Sequence, residues 1–241
     1  MSDSTLTTDA LAGMIDHAIL KPELTRADVD AQLAIAREYR ILSVCVRPSD
    51  VRYAVEALEG SGVGVGTVIG FPHGTTSTTA KVAESRQAIA DGAFELDMVV
   101  NIGWVRSGLL DLVEDDIRAV VEAAGTVPVK VIIETSLLND EQKVAACLAA
   151  EATGAAFVKT STGFAGGGAT VADITLMRAT VGPSVEVKAS GGIRSLDDAL
   201  AVIAAGASRL GTSATATLIT DLEARTTTGV ALEGAVDTSS Y

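Results

Sequence analysis

Histidine, cysteine and aromatic residues are scarce in this chain of 241 residues, which has two histidines, two cysteines and 3% aromatic residues. His17 and His73 are too few for a histidine-rich metal site. Cys45 and Cys147 have no neighbour at metal-ligand spacing, and isolated cysteines of this kind are typical of a reducing cytosol. We therefore expect a cytoplasmic protein that uses no metal and no cofactor.

Positive charge and long apolar segments are also in short supply. The chain has 18 lysines and arginines against 31 acidic residues, a formal net charge of −13. Its first residues lack the basic and apolar parts of a signal peptide, and no uncharged apolar run reaches membrane-spanning length. So acidic a chain is a poor binder of nucleic acid or anionic membrane. We expect neither as a partner, and an anionic ligand must be held by a local device such as backbone amides.

Strand-like and helix-like segments alternate along the whole chain. Short β-branched runs occupy residues 15–20, 41–46, 63–70, 94–100, 129–134, 156–160, 184–189 and 208–211. Segments with helical periodicity occupy residues 27–40, 49–58, 79–91, 109–124, 140–153, 171–181, 196–205 and 214–224.

Eight strand–helix repeats predict an α/β fold, a single (β/α)₈ barrel domain over residues 1–241. A short helix around residues 8–14 precedes the barrel, and a flexible tail follows from about residue 226. The structural alternative is a doubly wound open sheet. That fold usually has fewer units, and no Gly-x-Gly-x-x-Gly motif follows the first strand here.

Charged residues at the ends of three predicted strands indicate catalysis. Asp97 lies in the fourth strand, Lys159 ends the sixth and Lys188 ends the seventh. Catalytic groups of such barrels come from the carboxyl ends of the strands. Ammonium groups on adjacent strands approach each other, so one of them loses its proton more easily and becomes a nucleophilic amine. With Asp97 as proton acceptor and donor, this set predicts Schiff-base chemistry on a carbonyl compound.

Four other charged residues allow both a structural and a functional interpretation. Strand alternation places Lys130 and Glu134 on one face of the fifth predicted strand, where they fit either an ion-pair network or the site itself. For Glu95 the structural interpretation is the better one. Asp16 fits the positioning of a lysine or substrate no better than it fits a structural role.

Glycines and small polar residues follow the last three predicted strands. The segments are Thr162-Gly163, Gly191-Gly192 and Gly211-Thr-Ser213. Phosphate groups in these barrels commonly bind at the last loops, where glycine lets the backbone approach the ligand. Ordinary turns are the alternative explanation. We predict a phosphate and substrate site formed by Thr162, Gly163, Gly191, Gly192, Gly211 and Ser213.

Seven motifs carry a family resemblance that covers nearly the whole chain. They are Ile15-Asp-His-Ala-Ile-Leu-Lys-Pro22, Val44-Cys-Val-Arg-Pro48, Gly70-Phe-Pro-His-Gly74, Glu95-Leu-Asp-Met-Val-Val-Asn101, Val129-Lys-Val-Ile-Ile-Glu-Thr135, Phe157-Val-Lys-Thr-Ser-Thr-Gly163 and Val187-Lys-Ala-Ser-Gly-Gly-Ile-Arg194. In this order they resemble the deoxyribose-phosphate aldolases, class I aldolases on a (β/α)₈ barrel.

The resemblance implies reversible cleavage of 2-deoxy-D-ribose 5-phosphate to acetaldehyde and D-glyceraldehyde 3-phosphate without a metal. It also implies that Lys159 forms the Schiff base, that Lys188 tunes it and that Asp97 takes part in proton transfer. A homodimer is a further implication. In some members a C-terminal tyrosine assists proton transfer, and this chain ends in Tyr241.

Two positions depart from the motifs, and three other functions stay open. Ala18 stands where the motif usually has threonine, and Arg47 stands where it usually has asparagine. Both departures bear on substrate preference rather than on the class of reaction. The alternatives are another Schiff-base aldolase of a phosphorylated sugar, a barrel sugar-phosphate isomerase and a non-catalytic sugar-phosphate-binding barrel.

Overall fold

The chain forms a closed barrel of eight parallel strands, in a computed structural model that describes residues 6–228. Each strand pairs with the next one in sequence, and β8 returns to pair with β1. The strands are β1 (Ile15–Ile19), β2 (Ser43–Val46), β3 (Gly64–Ile69), β4 (Glu95–Val99), β5 (Val129–Ile132), β6 (Phe157–Lys159), β7 (Glu186–Ser190) and β8 (Arg209–Thr212). The predicted (β/α)₈ barrel is confirmed, and the open-sheet alternative is wrong.

Helices connect consecutive strands and surround the barrel. They are α1 (Thr8–Ala12), α2 (Arg26–Glu38), α3 (Val51–Ala57), α4 (Thr78–Ala90), α5 (Ile102–Arg106), α6 (Leu110–Ala124), α7 (Asp140–Ala152), α8 (Val171–Thr180), α9 (Leu196–Ala204) and α10 (Thr215–Thr228). Short 3₁₀ turns over Pro48–Asp50 and Thr135–Leu137 precede α3 and α7. Within residues 6–228, none of these helices is long and apolar enough to cross a membrane.

Side-chain caps fix where several of these helices begin. Thr25, Asn139 and Ser195 each accept a hydrogen bond from the backbone amide three residues later, and that residue's side chain accepts one from the cap residue's amide. Each such capping box satisfies amide groups that the first helical turn leaves unpaired. Because these helices begin at fixed residues, the loops that join them to the preceding strands have fixed ends. The site lies at these loops and strand ends, so its position is fixed as well.

The sequence predictions need three corrections at the ends of elements. β5 stops at Ile132, and Glu134 has a left-handed backbone with φ of 57°, so strand alternation does not place it on the face of Lys130. Helix α10 extends through Thr228, three residues into the predicted tail. The helix over Ile102–Arg106 was not predicted. The rest of the predicted tail, residues 229–241 with Tyr241, lies outside the described residues.

A buried ion pair ties two of the outer helices to the end of β4. Lys81 of α4 donates hydrogen bonds to Asp116 of α6 at 2.5 Å and to the Val99 carbonyl oxygen at 2.8 Å. Thr78 donates to the other oxygen of Asp116 at 2.7 Å. The side chains of Lys81 and Asp116 are 0% and 2% exposed. Because both charges are buried, the loss of one leaves the other uncompensated.

We expect Asp116→Ala to lower the free energy of unfolding by about 3–5 kcal/mol, since it leaves the Lys81 ammonium buried without its carboxylate. Urea denaturation followed by circular dichroism measures this change. Glu114→Ala is the matched control on the same helix, because Glu114 makes only a partly exposed contact with Arg118 at 3.5 Å. The control should cost at most about 1 kcal/mol. Equal losses in both variants would contradict the assignment of the buried pair.

Candidate active site

Asp97 is the centre of a group of charged side chains inside the barrel. Its Oδ2 atom accepts hydrogen bonds from Lys159 Nζ and Lys188 Nζ, each at 2.7 Å. Its Oδ1 atom accepts one from Lys130 Nζ at 3.0 Å. The four residues lie on β4, β5, β6 and β7, and all are buried. Lys130 therefore holds one oxygen of Asp97 so that the other faces Lys159, at the end of β6, and Lys188, which lies in the middle of β7 and not at its end as predicted.

Three further residues extend this group towards β1 and β8. Asp16 accepts a hydrogen bond from Lys188 at 2.5 Å through Oδ2 and one from Arg209 at 2.8 Å through Oδ1. Glu95 accepts from Lys130 at 2.5 Å and from Arg209 at 3.0 and 3.2 Å. These contacts place Asp16 at the lysines and make Glu95 a structural ion-pair partner.

The interior group has one more basic side chain than it has carboxylates. Asp16, Glu95 and Asp97 face Lys130, Lys159, Lys188 and Arg209. An unbalanced charge in a buried place is costly, and a buried group commonly neutralises instead of carrying one. Loss of one proton from a lysine balances the group.

The lysine that carries this imbalance is Lys159. Burial is the largest influence on the pKa of Lys159 and lowers it below its ordinary value; Asp97 opposes this shift and the Lys188 ammonium adds to it. Burial alone would also lower the pKa of Lys188, but Asp16 and Asp97 together raise it above the ordinary value. The two neighbouring lysines therefore differ in their resting charge: Lys159 is the amine and Lys188 is the cation.

The charge of Asp97 is stabilised by the three lysines around it. Burial alone would raise the pKa of Asp97, but Lys130, Lys159 and Lys188 together hold it well below its ordinary value. Asp97 is therefore a carboxylate while Lys188 is charged. A proton can pass between them along their hydrogen bond without any movement of the backbone.

A cavity of about 490 Å³ opens above the lysines at the carboxyl ends of the strands. Its wall includes both lysines and all six residues predicted to bind phosphate: Thr162, Gly163, Gly191, Gly192, Gly211 and Ser213. Gly163, Gly191 and Gly192 have φ near +80°, which residues with a side chain rarely adopt. The predicted catalytic lysines and the predicted phosphate site thus share one cavity.

Glycine also lets the loops after β6 and β7 touch each other. A Cβ atom on Gly168 would lie 2.5 Å from the carbonyl oxygen of Gly191, which is too close for any side chain. The next residue, Ala169, donates its amide to the carbonyl oxygens of Ser190 and Gly191 at 3.1 and 3.0 Å. The two glycine-containing loops therefore form one connected wall.

Glu134 supports the same wall from beneath. The carboxylate is fully buried, and its Oε2 atom accepts hydrogen bonds from the Thr162 amide at 3.2 Å and from the Thr162 hydroxyl at 2.5 Å. Thr162 Oγ1 in turn accepts from the amide of Phe164 at 3.1 Å. Of the two interpretations left open for Glu134, an ion-pair network and a place in the site, the structure supports a contact with the wall of the site, because Glu134 leaves the strand geometry and holds the Thr162–Phe164 turn. The prediction that it shares a strand face with Lys130 is wrong.

A small, weakly polar surface lies beside the lysines. Ala18 of β1 and Cys45 of β2 are register partners, and both line the cavity. Burial raises the pKa of the Cys45 thiol to about 11, and Asp97 adds to this shift. The thiol is therefore protonated at neutral pH. Of the two departures from the motifs, Ala18 reaches the cavity, whereas Arg47 lies behind its wall.

The sequence matches the model of a known protein family over most of its length. A family described as the DeoC/LacD family aldolases matches residues 10–231. The chain belongs to this aldolase family. Among curated relatives, the deoxyribose-phosphate aldolase of Macrococcus caseolyticus is 57% identical over 216 residues, which cover 89% of this chain and 98% of the relative.

Solved structures of similar proteins have the same fold as this member of the aldolase family. A crystal structure of a protein from Coccidioides immitis matches with a TM-score of 0.87 and 41% identity, over 92% of this chain and 91% of that one. The deoxyribose-phosphate aldolase of Aeropyrum pernix, described as a tetramer, matches with a TM-score of 0.84 and 30% identity, over 90% and 92%. The resemblance drawn from the seven motifs is confirmed.

Asp16 contacts Lys188 more directly than the sequence indicated, and Arg209 is a member of the interior group that was not predicted. Both lie on strands, at positions where alternation turns the side chain into the barrel, so period-two reading of β1 and β8 was the available signal. Among residues 6–228, no group of three or more His, Cys, Asp or Glu side chains is arranged to hold a metal ion. Tyr241, the remaining predicted catalytic residue, lies outside the described range.

Proposed function

We propose that this aldolase cleaves 2-deoxy-D-ribose 5-phosphate reversibly to acetaldehyde and D-glyceraldehyde 3-phosphate through a Schiff base on Lys159. One observation carries the proposal: Lys159 and Lys188 both contact Asp97 Oδ2 at 2.7 Å, at the wall of a cavity that also contains the glycine loops. A nucleophilic amine, a second cation and a carboxylate base are the groups that this reaction needs.

The reaction begins on the amine of Lys159. Neutral Nζ attacks the C1 carbonyl carbon, and loss of water from the carbinolamine gives an iminium ion. Acetaldehyde contains two carbons, so the bond that breaks is C2–C3, after a base removes the proton of the C3 hydroxyl. The electron pair of that bond enters the iminium, which becomes an enamine while D-glyceraldehyde 3-phosphate departs. Protonation of the enamine at C2 and addition of water then release acetaldehyde and the free lysine.

Asp97 and Lys188 supply the proton transfers in this proposal. Lys188 donates a proton through Asp97 or a water molecule and recovers it in the next half of the cycle. Asp16 returns Lys188 to its charged state, because it contacts Lys188 Nζ at 2.5 Å and raises its pKa. Lys130 keeps Asp97 oriented through the 3.0 Å contact with Oδ1. In this account Asp16 and Lys130 are positioning residues.

The phosphate group is proposed to bind to the wall made by the last three loops. Backbone amides of Gly163, Gly191, Gly192 and Ser213 are the donors, with Thr162 and Gly211 shaping the wall. Ser213 lies just before α10, whose amino-terminal end favours negative charge. Such a local site explains how a chain of net charge −13 can hold a doubly charged phosphate.

A substrate panel tests the proposed function. The purified chain is incubated with 2-deoxyribose 5-phosphate, and acetaldehyde is measured by its reduction with alcohol dehydrogenase and NADH. Unphosphorylated 2-deoxyribose should react with a KM higher by roughly 10²-fold or more, because the phosphate contacts are missing. In the synthetic direction, acetaldehyde should serve as donor and dihydroxyacetone phosphate should not. Preference for dihydroxyacetone phosphate would point to a different Schiff-base aldolase, and isomerisation without cleavage would point to an isomerase.

Removal of the Lys188 charge should change the pH dependence. The reactive form of Lys159 is the neutral amine, so kcat/KM rises with pH through its lowered pKa. In Lys188→Leu, Lys159 loses a cationic neighbour and shares Asp97 with one competitor fewer; both changes raise its pKa. The acidic limb of the profile should move to higher pH by about one to two pH units.

Lys188→Arg is the matched control, because it keeps the cation while it removes the lysine ammonium as a proton donor. We expect a lower kcat in both variants and a displaced acidic limb only in Lys188→Leu. An acidic limb at the wild-type position in Lys188→Leu would remove Lys188 as the group that tunes Lys159.

Three broader features belong to the same proposal: one barrel domain for the whole chain, a homodimer and a cytoplasmic location. Exposed Leu109, Leu112 and Leu148 supply apolar surface that supports association. The free, buried thiols of Cys45 and Cys147 support a reducing compartment. Sedimentation equilibrium tests the dimer, and a monomer at micromolar concentration would contradict it.

A further inference from the structure

Arg47 makes several side-chain hydrogen bonds to the backbone of the loop between β1 and α2. The residue lies between β2 and the turn Pro48–Asp50, and its side chain is 21% exposed. Nη1 donates hydrogen bonds to the carbonyl oxygens of Lys21, Pro22 and Leu24, at 3.2, 3.2 and 3.1 Å. Nε donates to the Asp50 carboxylate at 2.7 Å.

These carbonyl groups belong to the loop between β1 and α2, which forms one side of the cavity. Leu20, Lys21 and Leu24 of this loop line the cavity wall. Among the described residues, the backbone hydrogen bond within the loop is the one from the Leu24 amide to the Lys21 carbonyl, at 3.3 Å. The loop is therefore held in place mainly from outside, by Arg47.

Asp50, which accepts the hydrogen bond from Arg47, is also held in place by its surroundings. Asp50 is 5% exposed and accepts the Arg47 contact, and Arg26 at the start of α2 lies 3.8 Å from its other oxygen. The Arg26 guanidinium also lies 3.6 Å from the centre of the Tyr53 ring. Both ends of the loop are thus fixed, one in β1 and the other at this corner, and Arg47 fixes its middle.

We propose that Arg47 is a positioning residue for substrate binding, which holds the loop of residues 20–25 against the cavity so that Leu20, Lys21 and Leu24 form its wall. A guanidinium suits this role because its planar donors reach several acceptors at once. Neither an asparagine nor a lysine side chain can serve three carbonyl groups and a carboxylate together. The inference rests on the proposed function for its kinetic readout, and on the fold alone for its structural one.

Arg47→Asn and Arg47→Lys test this role. We expect both variants to raise KM for 2-deoxyribose 5-phosphate by roughly 5- to 30-fold with kcat within about twofold, since a displaced wall weakens binding and leaves the lysines in place. Arg52→Asn is the matched control, because Arg52 is exposed and pairs with Asp91 away from the loop. It should change neither constant.

Arg47→Lys separates positioning from simple attraction between charges. If the positive charge of Arg47 merely draws the phosphate in, lysine restores KM to the wild-type value, and that result would overturn the proposal. Lowered thermal stability with unchanged KM would also overturn it, because it would reduce Arg47 to a structural residue.

Hydrogen exchange without substrate gives a second readout that does not depend on the proposed reaction. In Arg47→Asn the hydrogen-bonded amides of this loop, those of Leu24 and Thr25, should exchange at least about tenfold faster, while those of β1 and α2 keep their protection. Unchanged exchange at residues 20–25 would show that Arg47 does not hold this loop in place. If the wild-type chain fails to cleave 2-deoxyribose 5-phosphate, the proposed function fails, while the exchange result still decides whether Arg47 holds the loop.

Discussion

Replacement of Lys159 by leucine is expected to lower kcat for aldol cleavage by roughly 10⁴-fold or more, because no other group can form the iminium ion. The barrel should remain folded. Lys159 is the basic side chain in excess among three carboxylates and four bases, so its removal balances the interior charge instead of leaving a carboxylate unpaired. Steady-state kinetics and urea denaturation of the same preparation measure both effects.

Lys159→Arg separates the amine from its charge. Arginine keeps a cation beside Asp97 but has no amine that can be deprotonated near neutral pH, so this variant should be as inactive as Lys159→Leu. Cleavage by either folded variant within about tenfold of the wild-type rate would exclude Lys159 as the nucleophile.

Asp97→Asn should have the second largest effect, on both rate and stability. The amide cannot balance the ammonium groups of Lys130 and Lys188, which contact the carboxylate at 3.0 and 2.7 Å. We expect kcat to fall by about 10²- to 10⁴-fold through loss of the proton transfer. The free energy of unfolding should fall by about 3–5 kcal/mol, because buried cations lose their partner.

Glu95→Gln is the matched control for this substitution. It removes one negative charge from the same interior group. Glu95 contacts Lys130 and Arg209, however, and has no contact with Lys159 or Lys188. It should cost similar stability while kcat stays within about tenfold of wild type. If both variants lose activity equally, total charge rather than the position of Asp97 governs the rate, and the proposed relay is wrong.

The fold was predictable because its signals are local and repeat eight times. Strand–helix alternation, side-chain caps such as Thr25 and Ser195, and β-branched runs each act within a few residues. Where a local rule failed, the tertiary structure was responsible. Glu134 continues an apolar strand in sequence, but it has a left-handed backbone and contacts Thr162, which lies in the loop after the neighbouring strand β6.

The candidate site was only partly predictable, for a related reason. Lys159, Lys188 and Asp97 are conspicuous because charges interrupt apolar strands, and the loop glycines follow from the barrel geometry. Asp16 of β1 contacts Lys188 of β7 and Arg209 of β8, which lie at the other end of the chain. Alternation along a strand indicates that such side chains face the barrel interior, but it does not indicate which of them pair. The hydrogen bonds of Arg47 to the loop after β1 have no local sequence pattern either.

Acetaldehyde trapping tests directly whether Lys159 forms the Schiff base. The chain is incubated with acetaldehyde and borohydride, digested and analysed by peptide mass spectrometry, with Lys159→Arg treated in parallel. We expect a reduced two-carbon adduct on Lys159 in the wild-type chain and no adduct in the variant. An adduct on Lys188 would reverse the roles of the two lysines, and the absence of any adduct from the folded wild-type chain would contradict the Schiff-base mechanism.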